Sequence, residues 1–142
     1  MTIGAIIGAK GANVTCIDAA DDVARAVSLL AGGRIGAAPV VEDGVMVGIL
    51  SERDLLYCLH AEGAGVLSKR VAQVMTAPAI TVTRADSILG ALSLMTRRRI
   101  RHLPVVENGE LLGIVSIGDL VKYRIDRIEA EAEDMRNYIR LA

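Results

Sequence analysis

Apolar and polar positions along this chain run through one ordered set of periods, and then run through it again. After Val14 a short strand is expected over Thr15–Ile17, followed by Asp21 near a helix start, where a carboxylate favours the free N–H groups and the dipole. Apolar residues then recur at helical spacing through Val23, Ala26, Val27 and Leu30. Next comes Ala-Ala-Pro39-Val-Val, the turn Glu-Asp-Gly44, and the apolar run Met46–Leu50. An Asp-Gly pair between two such runs is a hairpin signal, so these segments are expected to be antiparallel neighbours. Ser51 stands where a second helix should begin, ahead of Asp54-Leu-Leu. The order is β-α-β-β-α.

A constant offset of 65 residues lays Val14–Leu56 on Ala79–Val121 without a gap. Pro39-Val-Val falls on Pro104-Val-Val, Gly44 on Gly109, Gly48 on Gly113, Ser51 on Ser116 and Asp54 on Asp119. The second copy has its strand at Thr81–Thr83, Asp86 at the helix start, Ile88, Leu92 and Met95 at helical spacing, and an Asn-Gly turn before Leu111–Val115. One such unit has a sheet with an open face and is too small to be stable alone, so the two should pack sheet to sheet about a pseudo-twofold axis, with two clefts between them. This gives an α+β fold divided into an N-terminal segment (1–13), a first repeat (14–60), a linker (61–78), a second repeat (79–124) and a C-terminal helix (125–142). Gly63, Gly65 and Pro78 mark the linker as a surface connection, with a short helical piece expected around Ser68–Met75. In the last segment Ile125, Ile128, Ala132, Met135 and Ile139 form one apolar side of a charged amphipathic helix. That stripe covers the module's own edge or meets a second subunit.

Composition narrows the chemistry. Apolar residues make up 52% of the chain and aromatics 2%, so the core must be aliphatic, in layers of sheet on helix. Sixteen basic and seventeen acidic side chains give a net charge of −1, which excludes a global field for duplex nucleic acid or an anionic membrane and leaves anion sites to be local. Met1–Lys10 is too short for the apolar region of a secretory signal, and Lys10 follows the apolar run where a signal would need a cation first, so a cytoplasmic protein is expected. No apolar run reaches the roughly 20 residues of a membrane span. Cys16, in an expected strand, and Cys58, in an expected helix, are read as small buried hydrophobes. His60 and His102 are the only histidines, and neither is paired by pattern with a nucleophile or a metal-ligand set, so catalysis and a metal are not expected.

Ser51 and Ser116 each end a strand and open a helix, which presents N–H groups and a hydroxyl to an anion such as phosphate. Asp54 and Asp119 follow by three residues on the same helix face, where a carboxylate accepts hydrogen bonds from both hydroxyls of a ribose. An N-cap Ser with an acidic first turn explains the same residues by helix physics alone, and both readings stand at this point. Arg97–Arg101 with His102 is the one dense basic run, and the end of a helix is a favourable place for Arg97 and Arg98 whatever else they do.

The repeat, its β-α-β-β-α order and the signatures Gly48-Ile-Leu-Ser51-Glu-Arg-Asp54 and Gly113-Ile-Val-Ser116-Ile-Gly-Asp119 resemble the CBS (cystathionine β-synthase) domain family, and the tandem arrangement resembles a Bateman module. The resemblance covers roughly Val14 to Val121, and the whole chain is similar to small bacterial proteins made of little else. It implies binding of AMP, ATP, NAD or another adenosyl compound in the clefts, relayed to a regulated partner by changes in packing, most simply in a homodimer. It implies contacts from Ser51, Asp54, Ser116 and Asp119, with Arg101 and His102 neutralising phosphate. The first repeat departs from the second, with Gly36-Ala37 in place of Arg101-His102, and Arg53 is its candidate substitute where the second repeat has Gly118. Non-identical sites are therefore expected. The strand starts Val14-Thr15 and Ala79-Ile80 are the candidates for an apolar adenine slot with backbone partners.

Two other readings stand beside nucleotide sensing: a structural dimerisation or adaptor protein working through its C-terminal helix, and nucleic-acid binding through Arg97–Arg101. The second is disfavoured by the negative net charge and the lack of stacking aromatics around the arginines.

Overall fold

Each hairpin is built at a turn whose two central residues both have positive φ. Asp43 and Gly44 lie at 51° and 78°, Asn108 and Gly109 at 51° and 77°. That backbone twist matches the twist of paired strands, and Asp, Asn and Gly are the residues that adopt it most readily. The turns join β2 (Ala37–Glu42) to β3 (Val45–Ser51) and β4 (His102–Glu107) to β5 (Glu110–Ser116), both antiparallel and both with a bulge at the same place, Val40/Val41 and Val105/Val106. The computed structural model describes residues 1–10 and 13–141; of the expected N-terminal segment and C-terminal helix, residues 11, 12 and 142 lie outside the described residues.

The remaining elements are α1 (Ile3–Lys10), β1 (Ile17–Asp18), α2 (Val23–Gly33), α3 (Glu52–Glu62), α4 (Ile88–Arg98) and α5 (Ile117–Leu141). The expected β-α-β-β-α order is present in both halves, with differences at the edges. The first strand is Ile17–Asp18, not Thr15–Ile17, and Cys16 precedes it. In the second half the expected strand Thr81–Thr83 is reduced to one parallel bridge, Val82 to Val105, closed by Val82 N–H to Pro104 O at 3.0 Å and Val106 N–H to Val82 O at 2.9 Å. Neither Pro39 nor Pro104 breaks its strand: β1 reaches β2 only from Val40 on, and Pro104 offers the carbonyl. The helix caps lie one residue beyond the expected Asp21 and Asp86. Asp22 accepts from Arg25 N–H and Ser87 from Gly90 N–H, while Asp86 accepts from Thr83 N–H and fastens the preceding turn.

The linker holds two 3-10 turns, Gly63–Ser68 and Val71–Gln73, in place of the helical piece expected over Ser68–Met75. Thr76 then exchanges both backbone hydrogen bonds with Ile49, adding a residue of sheet to the free edge of β3. This close approach explains Gly48, since a Cβ there would lie 2.7 Å from Thr76 O and 2.8 Å from the Met75 sulfur.

Two aliphatic cores result. One gathers Ile17, Val23, Leu30, Val40 and Leu50 of the first repeat with Val71 of the linker. The other gathers Ile88, Met95, Leu103, Val105, Val115 and Leu120 of the second repeat with Ile3 and Ile6 of α1. The N-terminal helix therefore crosses the molecule to complete the second repeat, as the linker completes the first. The repeats meet where β3 contacts β5. The fold is α+β, two repeats packed about a pseudo-twofold relation, and α5 continues without a break into the C-terminal extension.

Candidate functional site

The cleft lies where the start of α3 in the first repeat faces the turn between α4 and β4 in the second. Ser51, Arg53 and Asp54 line it from one side, and Arg99, Arg101 and His102 from the other. Its floor and walls are apolar, from Ala37, Ile49, Ile80 and Ile100, and Thr76 closes one end. An apolar slot beside a ring of cationic side chains suits a ligand with a flat hydrophobic part and an anionic part.

Local bonding fixes each polar group. Ser51 Oγ accepts from Asp54 N–H at 3.2 Å and Asp54 Oδ2 accepts from Ser51 N–H at 2.9 Å, a reciprocal capping box. Asp54 Oδ1 also accepts from the Thr76 hydroxyl at 3.0 Å, which turns the carboxylate toward the linker side of the cleft. Glu52 N–H donates to Gly36 O at 2.9 Å. Two of the N–H groups expected to receive a phosphate, those of Glu52 and Asp54, thus already have partners within the protein. The cationic side chains, which carry charge, are the stronger anion-binding groups of this cleft.

Those cations are held in place by the repeat boundary. Arg99 ends α4 in the left-handed conformation, with φ 54°, and its carbonyl accepts from Arg53 Nη1 of the other repeat. Arg101 Nη2 lies 3.4 Å from Glu52 Oε1 across the cleft, an exposed and easily exchanged pair. His102 is half-buried; burial, reinforced by Arg101, holds its imidazole below the ordinary histidine range, with Glu52 and Asp119 pulling the other way and Lys10 adding to the depression. The imidazole sits against Gly36, where an added Cβ would lie 3.0 Å from His102 Cε1. This accounts for the departure between repeats: Gly36 leaves room for the histidine that the second repeat supplies.

The pseudo-equivalent position in the second repeat is differently filled. Ser116 and Asp119 form the same pair of bonds, at 2.9 and 3.1 Å. Here, however, Lys10 at the end of α1 donates to Asp119 Oδ2 at 2.7 Å and to Ile114 O at 3.0 Å. Burial raises the Asp119 carboxyl, but the bonds from Lys10 and Ser116 outweigh it and leave the group below the ordinary carboxylate range. Gly118 brings no side chain where Arg53 stands in the first repeat.

Of the residues singled out in the sequence, Ser51, Arg53, Asp54, Ile80, Arg101 and His102 come together in one cleft. Ser116, the sheet partner of His102, and Asp119 are not among its lining, nor are Val14, Thr15 and Ala79. Val14 and Ala79 are half-buried and Thr15 exposed, so of the two strand starts only Ile80 reaches the apolar slot. The structure adds Thr76, Arg99 and Lys10. Arg99 stood within the basic run; Thr76 and Lys10 carry no local signal, because the linker and the N-terminal helix bring them there from distant sequence. Cys16 and Cys58 are half-buried free thiols rather than core residues, and burial pushes the Cys16 thiol up. Among the described residues no group of three or more His, Cys, Asp or Glu is placed to hold a metal ion, and no helix is long and apolar enough to cross a membrane.

Comparison with known proteins agrees with this architecture. The family model for the CBS domain matches twice, over residues 10–61 and 71–126. The mitochondrial CBS domain-containing protein CBSX3 of Arabidopsis thaliana is 36% identical over 124 residues; the match takes in 84% of this chain and 60% of that protein's length. The crystal structure of the CBS-domain containing protein ATU1752 from Agrobacterium tumefaciens superposes with a TM-score of 0.84 at 35% identity, covering 87% of this chain and 99% of the other. A crystal structure of CBSX2 in complex with AMP superposes with a TM-score of 0.71 at 28% identity, covering 80% and 89%.

Proposed function

The chain belongs to the CBS domain family, and on that footing we propose that it is a regulatory module that binds an adenine nucleotide in the cleft between Asp54 and His102. The observation that carries this reading is the composition of that one cleft: an apolar slot, a carboxylate with unfilled acceptor positions, and three arginines and a histidine from two repeats. The complex of CBSX2 with AMP supports the ligand class.

The adenine lies between Ile80, Ile100 and Ile49. Asp54 receives the ribose hydroxyls, Ser51 holds Asp54 in place through the capping box, and Arg53, Arg99, Arg101 and His102 neutralise phosphate. AMP, ATP and NAD all present the same adenosine 5′-phosphate to these groups. Because the cationic side chains come from both sides of the repeat boundary, a bound phosphate joins the repeats, and its arrival favours whichever packing brings them closest. That is the signal passed to a regulated protein. The module acts as a homodimer in the cytoplasm, its repeats being residues 14–60 and 79–124, and it catalyses no reaction of its own.

We infer further that the two clefts are unequal. Lys10 on Asp119 supplies the second with a charge partner from within the chain, so one nucleotide binds per chain. The test is calorimetry with AMP, ATP, NAD and GTP: binding of adenosine ligands near one per chain, with none for GTP, supports the reading. No heat and no thermal stabilisation with any of them would replace it with the adaptor alternative.

A further inference from the structure

We propose that α5 forms a parallel, in-register two-stranded coiled coil with a second copy of this chain. The proposal rests on the homodimer named above and assigns its surface, partner residues and direction.

Helix α5 leaves the body after its first two turns. Leu120 is buried and Tyr123 packs against the second core, but no residue from Ile125 to Leu141 is even half-buried. From the body outward Val121, Ile125, Ile128, Ala132, Met135 and Ile139 follow one another at steps of four, three, four, three and four residues. Alternating steps of four and three repeat every seven residues and make the seam of a left-handed coiled coil, with Ile125, Ala132 and Ile139 at one core position and Val121, Ile128 and Met135 at the other. Ile125 and Ile128 are each 49% exposed, Met135 60% and Ile139 65%. Tyr123, which packs against the second core, lies at the heptad position opposite the seam.

Charge complementarity commits the face to another copy of itself. The residues flanking the seam are Arg124 and Glu131 on one side, Lys122, Glu129 and Arg136 on the other. In a parallel pair a residue on the first side faces the residue five positions later on the partner helix. Arg124 then meets Glu129 of the second copy and Glu131 meets Arg136, twice over by symmetry, with no like-charged pair. Among the described residues Arg124, Glu129 and Glu131 have no ion-pair partner within the chain, whereas Lys122 and Arg136 have only exposed neighbours on their own helix, Asp126 and Glu133. The second match to the family model ends at residue 126, so most of this seam lies outside the repeats proper.

The test combines mass and direction. Light scattering of the full chain should give a dimer, and Ile125→Asp with Ile128→Asp should raise its dissociation constant at least about a hundredfold while the circular-dichroism melt of the body persists. In a Cys16→Ser, Cys58→Ser background, Met135→Cys should form a disulfide-linked dimer on oxidation, and Asn137→Cys, on the outer face, should not. Arg124→Glu should weaken the dimer several-fold and Arg124→Glu with Glu129→Arg should restore it, which an antiparallel pairing would not do. A monomer at high concentration would overturn the homodimer itself. A dimer indifferent to the two aspartates, or linked equally through Asn137→Cys, would leave a homodimer and overturn this interface.

Discussion

Replacing Asp54 and Asp119 by alanine, one at a time, separates helix capping from ligand binding, because the two carboxylates do the same local work and differ in what faces them. Each closes a capping box of nearly identical geometry, at 2.9 and 3.2 Å for Asp54 and 2.9 and 3.1 Å for Asp119. Loss of such a box costs about 1 kcal/mol, so both variants should melt a few degrees below the parent. Asp54→Ala also loses the Thr76 hydroxyl and Asp119→Ala the partly exposed Lys10, each a minor addition. Nucleotide affinity should divide them. Two ribose hydroxyls on a carboxylate contribute roughly 1.5 kcal/mol each at the low end, so Asp54→Ala should weaken AMP by about 3 kcal/mol, on the order of a hundredfold. Asp119→Ala should leave the affinity within about threefold, with the same single site by calorimetry. Equal weakening by both variants, or none by Asp54→Ala, would refute the assignment of the ligand to the first cleft.

Histidine 102 gives a pH dependence. Its imidazole is held below the ordinary range by burial and Arg101, so the unfolded chain takes up its proton first and stability falls as pH drops through about 6.5. A bound phosphate opposes that bias: AMP binding should be accompanied by proton uptake at the imidazole, and His102→Gln should reduce that uptake, measured by calorimetry in buffers of different ionisation enthalpy. Asp119 has the opposite character. Its carboxyl is held low against burial by Lys10 and Ser116, so its contribution is complete above the ordinary aspartate range and lost in more acid solution. Lys10→Met should therefore destabilise the protein modestly at pH 7, and the difference should vanish in acid solution below the ordinary aspartate range, measured by urea unfolding. In the core, Leu103 is fully buried, and Leu103→Ala should cost roughly 2–5 kcal/mol by the same assay. Gly48→Val should unseat the linker strand at Thr76 and weaken nucleotide binding, since the backbone oxygen in its way cannot swing aside as a side chain could.

Wherever a few neighbouring residues decide a conformation, the sequence alone was enough. The positive-φ turns at Asp43-Gly44 and Asn108-Gly109, the helical spacing of Val23–Leu30 and Ile88–Met95, and the Ser-x-x-Asp helix starts are local, and the 65-residue offset repeats them. Caps and short edge strands were off by a residue or two, as at Asp22 and Ile17, because adjacent polar residues compete for the same N–H groups and packing chooses among them. Tertiary structure decided what depends on distant segments meeting. It set Arg99, Arg101 and His102 against Asp54 of the other repeat, and drew Thr76 onto the edge of β3. It also bonded Glu52 N–H to Gly36 and carried Lys10 to Asp119, 109 residues away. A repeat in sequence makes the two halves alike. What makes their clefts unequal is that one is completed by the linker and the other by the chain's own N-terminal helix, and no local pattern records which segment closes which edge.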